Sequence, residues 1–301
     1  MKTWVKFILG IGVTCSLLGA ALAGYGLATG GLSDLENSTK VDSAVNYKKV
    51  SLDSFSKIDI DSTVSDIIIS KTNIDKPFIS YSDNKKLPVS YNVENDTLTV
   101  KQTGNKTVTN SANINFLSLR NLIDITRTGI IENSHTIIIS VPQDTDITSL
   151  KANLKSGDLD INNLSPDTTT IELLSGELNL SNTTINSGSA DITSGDVELD
   201  NSSLKDFKLS ITTGDIDLEN SQASNTSFDL NMGDFSADNM TFQNENSITM
   251  TTGDIDITLA SKDLKVSMTN LLGDADITTD LNTSSKNTLT IDGSVSDISI
   301  Q

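Results

Sequence analysis

Glycine recurs at nearly constant intervals through the second half of this chain, each copy with the same flanking pattern. Ser156-Gly157-Asp158, Ser175-Gly176-Glu177, Ser194-Gly195-Asp196 and Thr213-Gly214-Asp215 lead to Met232-Gly233-Asp234, Thr252-Gly253-Asp254 and Leu272-Gly273-Asp274. The intervals are 19, 19, 19, 19, 20 and 20 residues. Such a period marks stacked units that cannot bury an apolar face alone. Gly293 lies 20 residues further on, but Ser294 replaces the acid, so the last coil is atypical, as terminal repeats usually are.

Within each repeat the period is two. Asp158-Leu159-Asp160-Ile161 and Asp215-Ile216-Asp217-Leu218 alternate acid and apolar residues, the pattern of a strand with one buried face. A second alternating run precedes the next glycine, with Ile171 and Leu173, Leu209 and Ile211, or Phe228 and Leu230. Six residues after the glycine stand Asn163, Asn182, Asn201, Asn220 and Asn239. Each repeat therefore reads strand, corner, strand, corner. Glycine takes a corner that needs positive φ. Asparagine takes the opposite corner, where its amide can bond backbone or its counterpart one coil away. The predicted fold is all-β: a parallel β-solenoid of 19–20 residues per coil over 151–301, its rungs about 4.8 Å apart. An antiparallel β-sandwich is the competing architecture, although its strands need not recur at constant spacing.

Residues 51–150 continue the theme irregularly. Ile58-Asp59-Ile60 opens an alternating run, and Val64-Ser65-Asp66-Ile67 echoes Val295-Ser296-Asp297-Ile298. Tyr91-Asn92-Val93 and Thr97-Leu98-Thr99-Val100 flank Glu94-Asn95-Asp96, the pattern of a hairpin. Residues 103–131 hold Ile114, Phe116, Leu117, Leu119, Leu122, Ile123 and Ile125 and read as a packed cap or a partner-touching loop.

Lys2 and Lys6 precede an uncharged stretch from Phe7 to Thr29, followed by Asp34 and Glu36. Roughly 20 apolar residues cross a bilayer as a helix. Lysines on the near side place the N-terminus in the cytoplasm and the body outside. The expectation is one N-terminal transmembrane helix (residues 1–29) and a polar tether (residues 30–50). Cleavage after the small-x-small site Ala21-Leu22-Ala23, releasing a secreted chain, is the alternative. Cys15 is the only cysteine, so an intrachain disulfide is excluded.

The formal net charge is −19. Residues 1–150 hold 14 basic and 15 acidic side chains, whereas residues 151–301 hold 7 and 25. The negative field thus belongs to the repeats, and nucleic acid is excluded as a partner for want of a basic patch. Residues one and three after each glycine point the same way along a strand. The first row is Asp158, Glu177, Asp196, Asp215, Asp234, Asp254 and Asp274; the second holds Asp160, Glu198, Asp217, Asp256 and Asp276. At rung spacing, neighbours repel by about 0.9 kcal/mol in water before screening. The bland reading is a solvated face that resists sheet-on-sheet association. The alternatives are a low-affinity cation face for diffuse Ca²⁺ or Mg²⁺ and a surface for a cationic ligand or an envelope protein. Without the nine-residue calcium-roll pattern, no specific metal site is expected.

Catalysis has little to rest on. His135 is the only histidine, and neither a phosphate loop nor a zinc-spaced His/Cys cluster occurs. No cofactor or small-molecule substrate is expected. Stacked carboxylates at about 5 Å would suit a retaining glycosidase, but such an enzyme needs two differently tuned carboxylates in a cleft. A self-assembling structural role, with Ile298-Ser299-Ile300 as an exposed end strand, is a further alternative.

Ile58-Asp59-Ile60, Ile139-Ser140-Val141-Pro142 and the serial Ser/Thr-Gly-Asp-Ile-Asp-Ile units resemble the bacterial putative-adhesin β-strand-repeat family, a domain of unknown function that includes LiaG-like proteins. The resemblance spans about residues 50–300. It implies a β-solenoid-like, membrane-tethered or secreted envelope protein, often associated with Gram-positive envelope-stress loci, and transfers no binding residues. Aromatics make up only 4 % of the chain, leaving no platform for stacking on sugar rings.

Overall fold

The computed structural model describes residues 47–104, 135–270, 273–293 and 297–301. The expected membrane segment, the tether as far as residue 46 and the apolar stretch from residue 105 to 131 lie outside them. Every described regular element is a β-strand. The first, Tyr47–Ser51, begins within the stretch read as tether.

In the repeats, successive strands pair in parallel at the period of the sequence. Val197 pairs with Ile216 and Ile216 with Phe235, then Phe235 with Ile255 where the interval becomes 20. On the returning side Leu209 pairs with Phe228 and Phe228 with Ile248. Parallel pairing at one-coil offsets excludes an antiparallel sandwich for this region. The inward positions form one continuous core, with Leu209, Ile216, Phe228, Ile248 and Ile255 at 0 % exposure.

The middle coils have three sides where the alternation predicts two. After Val197–Asp200 the chain turns at Asn201 and crosses the short strand Ser203–Lys205. It turns again at Asp206 and returns along Phe207–Thr213. The third corner falls at Asp206, Asn225 and Asn244, with φ of 45°, 52° and 56°. A three-residue side carries a single inward residue such as Leu204, too few to show an alternation.

Glycine and asparagine corners both lie at positive φ, from 49° to 57° at Asn163, Asn182, Asn201, Asn220 and Asn239. At the glycine corner adjacent coils also approach closely. A Cβ on Gly195 would stand 1.8 Å from the Gly176 carbonyl oxygen. Just past the asparagine corner, hydroxyls stack inside the coil. Ser202 Oγ accepts the Thr183 N–H (3.1 Å) and Ser221 Oγ accepts the Ser202 N–H (3.1 Å). Buried N–H groups at this corner are thereby satisfied.

At both ends the stacking order departs from chain order. The first coil, Lys57–Ser62 with Asp66–Thr72, lies between Thr97–Gln102 with Thr136–Pro142 on one side and the Ser149–Leu154 coil on the other. The last coil, Thr288–Gly293 with Ile298–Ile300, likewise lies between Glu245–Thr252 with Ile255–Leu259 and Lys265–Thr269 with Ala275–Ile277. Ile298–Ile300 is therefore no free end strand: both its edges are paired, which corrects the expectation from sequence. The N-terminal end is closed by antiparallel strands. Val89–Glu94 folds back on Thr97–Gln102 as the predicted hairpin, turning at Asn95 and Asp96. Tyr47–Ser51 and Phe78–Ser82 close the other sheet, and Tyr81 meets Tyr91 edge-on at 5.7 Å between ring centroids.

Candidate interaction face

The candidate carboxylates occupy the outer face of the sheet that follows the glycine corner. In register, the second row runs Asp160, Asn179, Glu198, Asp217, Ser236, Asp256, Ser299 and Asp276. The intercalated last coil thus places Ser299 between Asp256 and Asp276. Glu198, Asp217, Asp256 and Asp276 are exposed.

The first row has a structural duty that sequence did not reveal. Asp158 Oδ1 accepts the Glu177 N–H (2.9 Å), Asp196 Oδ1 that of Asp215 (2.8 Å), Asp215 Oδ1 that of Asp234 (2.7 Å) and Asp234 Oδ1 that of Asp254 (2.9 Å). At the ends, Asp66 Oδ1 accepts from Asp158, Asp254 Oδ1 from Asp297, and Asp297 Oδ1 from Asp274. A strand leaving a corner has an N–H with no carbonyl opposite it, and a carboxylate one coil away supplies the acceptor. Glu177 is one methylene longer, and no corresponding bond to the Asp196 N–H is formed. These acids are chosen by backbone geometry at least as much as by charge.

A third row lies on the same face, five residues after the glycine: Asp200, Glu219 and Asp238, continuing Asn162 and Ser181. The sequence reading missed it by counting only two outward positions per strand. The same alternation extended by two residues identifies it. Asp196, Glu198 and Asp200, then Asp215, Asp217 and Glu219, make a contiguous acidic field on neighbouring coils.

The field ends against an apolar patch. Asp160 is in register with Ile68, and Ile68 with Ile138, both buried. Burial pushes the Asp160 carboxyl up to about 6, and Asp158, Asp66 and Glu177 add to the rise; the Asn179 amide, donating at 2.8 Å, opposes it. Burial, then the charges of Asp215 and Asp196, also raises Asp217, and burial followed by Asp158 raises Glu177.

Among the described residues, no group of three or more His, Cys, Asp or Glu is arranged to hold a metal ion. His135 is half-buried at the start of strand Thr136–Pro142. The opposite sheet is chemically distinct. An open groove there, about 900 Å³, is lined by Ser227, Ser247, Thr290, Lys208, Lys265 and Glu245, and Lys208 pairs with Asp229 at 3.0 Å.

The model of the Toastrack family, DUF4097, matches residues 55–300. No curated protein matches. Among solved structures, a putative lipid binding protein from Parabacteroides distasonis is 11 % identical, with a TM-score of 0.46, covering 85 % of this chain and 96 % of its own. A putative cell adhesion protein from Clostridium sporogenes is 15 % identical, with a TM-score of 0.29 and coverage of 85 % and 98 %. A putative adhesin from Bacteroides fragilis is 16 % identical, with a TM-score of 0.36 and coverage of 87 % and 99 %. The family match spans most of the chain and both irregular ends of the stack: the protein belongs to the Toastrack (DUF4097) family, a domain of unknown function.

Proposed function

We propose that this chain is a non-enzymatic surface protein that presents the acidic sheet of its solenoid to cationic groups outside the cell membrane, anchored through residues 7–29. The observation that carries the reading is the division of labour among the carboxylates. In the first row Asp158, Asp196, Asp215, Asp234 and Asp254 are committed to backbone hydrogen bonds, while Glu198, Asp217, Glu219 and Asp256 stand exposed on the same face. A flat field of like charge recruits counter-charges at rung spacing, by long-range attraction and without a pocket. Basic segments of an envelope protein and diffuse Ca²⁺ or Mg²⁺ are the ligands this chemistry favours. A glycosidase is disfavoured because the carboxylates lie on an open sheet face while the described grooves lie on the opposite sheet.

Surface labelling of intact cells tests the proposal. Ser236, exposed in the second acidic row, is replaced by cysteine in a Cys15→Ser background. A membrane-impermeant maleimide is expected to label S236C on intact cells, and an added oligolysine to slow the reaction. Labelling only after lysis, or a rate indifferent to the polycation, contradicts the reading.

A further inference from the structure

The two ends of the solenoid are finished differently. The N-terminal end is closed by antiparallel strands and the Tyr81–Tyr91 pair. The other end is the rung Lys265–Thr269 and Ala275–Ile277, and among the described residues each of these strands is paired on one side only. Val266 and Met268 are in register with Leu289 and Ile291, and Ala275 and Ile277 with Ile298 and Ile300, so all four face the core. Their partners are at most 2 % exposed, yet Val266 and Met268 are only partly covered and Ile277 is 43 % exposed. The rung therefore presents a slice of open core framed by two strand edges with unpaired N–H and C=O groups.

The structure assigns this end to a second copy of the chain, docked end to end about a two-fold axis. The two strands of the rung run in opposite directions around the coil. A two-fold axis perpendicular to the stack thus brings each edge against a partner edge in antiparallel pairing, which meets every backbone requirement. Charge selects between the two ways of doing so. Ala275–Ile277 against its own copy sets Asp276 beside the partner subunit's Asp276. Lys265–Thr269 against the partner's Ala275–Ile277 keeps core positions opposite core positions, with Met268 meeting the partner's Ala275 and Val266 meeting the partner's Ile277. Lys265 then stands diagonal to the partner's Asp276, within reach of a long side chain. The crossed arrangement is the one that forms. Head-to-tail growth is disfavoured because the far end, formed by Tyr47–Ser51 and Val89–Glu94, does not repeat the strand directions of a coil, so stacking there would not continue the solenoid. Two short strands are a small contact, so the dimer is weak, with Kd on the order of 100 µM. It uses only Asp276 of the acidic rows, at their very end, and depends neither on cation binding by the rest of the field nor on anchoring.

Sedimentation equilibrium of the full chain in density-matched detergent tests this, with thermal melts confirming that each variant folds. The wild type is expected to pass from monomer to dimer and stop there. Ile277→Lys weakens the dimer at least about tenfold, and Lys265→Glu weakens it roughly fivefold. The double variant K265E/D276K returns it to near the wild-type value. Mixed S267C and D276C chains, in a Cys15→Ser background, form disulfide-linked pairs with each other more readily than D276C with itself. A strict monomer at the highest concentration, growth beyond dimers, or a dimer indifferent to I277K and to the charge exchange overturns the assignment. Failure of the surface-labelling experiment would leave these results untouched.

Discussion

Asp66 and Asp297, near opposite ends of the chain, do the same work: each replaces a post-glycine acid and accepts the N–H of an acid on a neighbouring coil, Asp158 for one and Asp274 for the other. Both belong to the coils that intercalate out of chain order, and both are preceded by Val-Ser. The Val-Ser-Asp-Ile echo in the sequence thus marks the two coils where the stacking order changes, and its aspartate takes the place of the post-glycine acid in both. The carboxylate ladder, interrupted at Glu177, includes both.

The ladder predicts a difference between adjacent acids. Asp215→Ala deprives the Asp234 N–H of its acceptor and costs about 1 kcal/mol, because the corner is partly hydrated. Asp215→Asn keeps an acceptor oxygen and stays close to wild type. Asp217→Ala, two residues on and surrounded by like charge, is neutral or slightly stabilising. Urea midpoints of the three variants read this order directly.

Close approach at the glycine corner predicts a larger loss. A Cβ on Gly214 would stand 1.9 Å from the Gly195 carbonyl oxygen, at a φ of 141°. Gly214→Ala combines backbone strain with overlap against immobile atoms and costs about 3 kcal/mol or more. Thermal unfolding should show a larger loss for G214A than for D215A or S202A.

Ser202 carries the buried hydroxyl ladder in the middle of the stack. Ser202→Ala leaves the Thr183 N–H without an acceptor and costs about 1–3 kcal/mol. Ser202→Thr, which keeps the oxygen, loses less; chemical denaturation of the pair separates the hydroxyl's contribution from packing.

Asp160 makes stability depend on pH. Its folded pKa lies above its unfolded one, at about 6, so the native state holds a proton that the unfolded chain has released. Its contribution is present below about pH 4 and is lost as pH rises through about 6. Asp160→Asn removes this dependence and is worth about 1–2 kcal/mol at pH 7. Melting curves of wild type and variant should converge at pH 4 and separate by a few degrees at pH 7.

Repeat period, strand alternation, both major corners and the Glu94–Thr97 hairpin region were legible because each rests on local backbone chemistry that residue type reveals. Glycine and asparagine mark positive φ, and alternation marks a half-buried strand. The third side of the coil was not legible, since three residues with one inward leucine carry no period. The intercalated ends were hidden for another reason. Which coil stacks on which is decided between segments far apart in the chain, and Ile298–Ile300 looks the same in sequence whether its edge is free or paired. The acidic field was found as two rows. Its third row was missed, and the ladder formed by its first row depends on a distance between coils that no single strand contains.

The central claim is that the outer carboxylates of one sheet are free to recruit positive charge. Titration of the purified chain with a fluorescent oligolysine, over a range of salt, tests it most directly. The account predicts salt-weakened binding that falls about tenfold in E198Q/D217N/D256N and is unchanged in E172Q/D191N on the opposite sheet. Equal losses from the two sets, or none from the first, would contradict it.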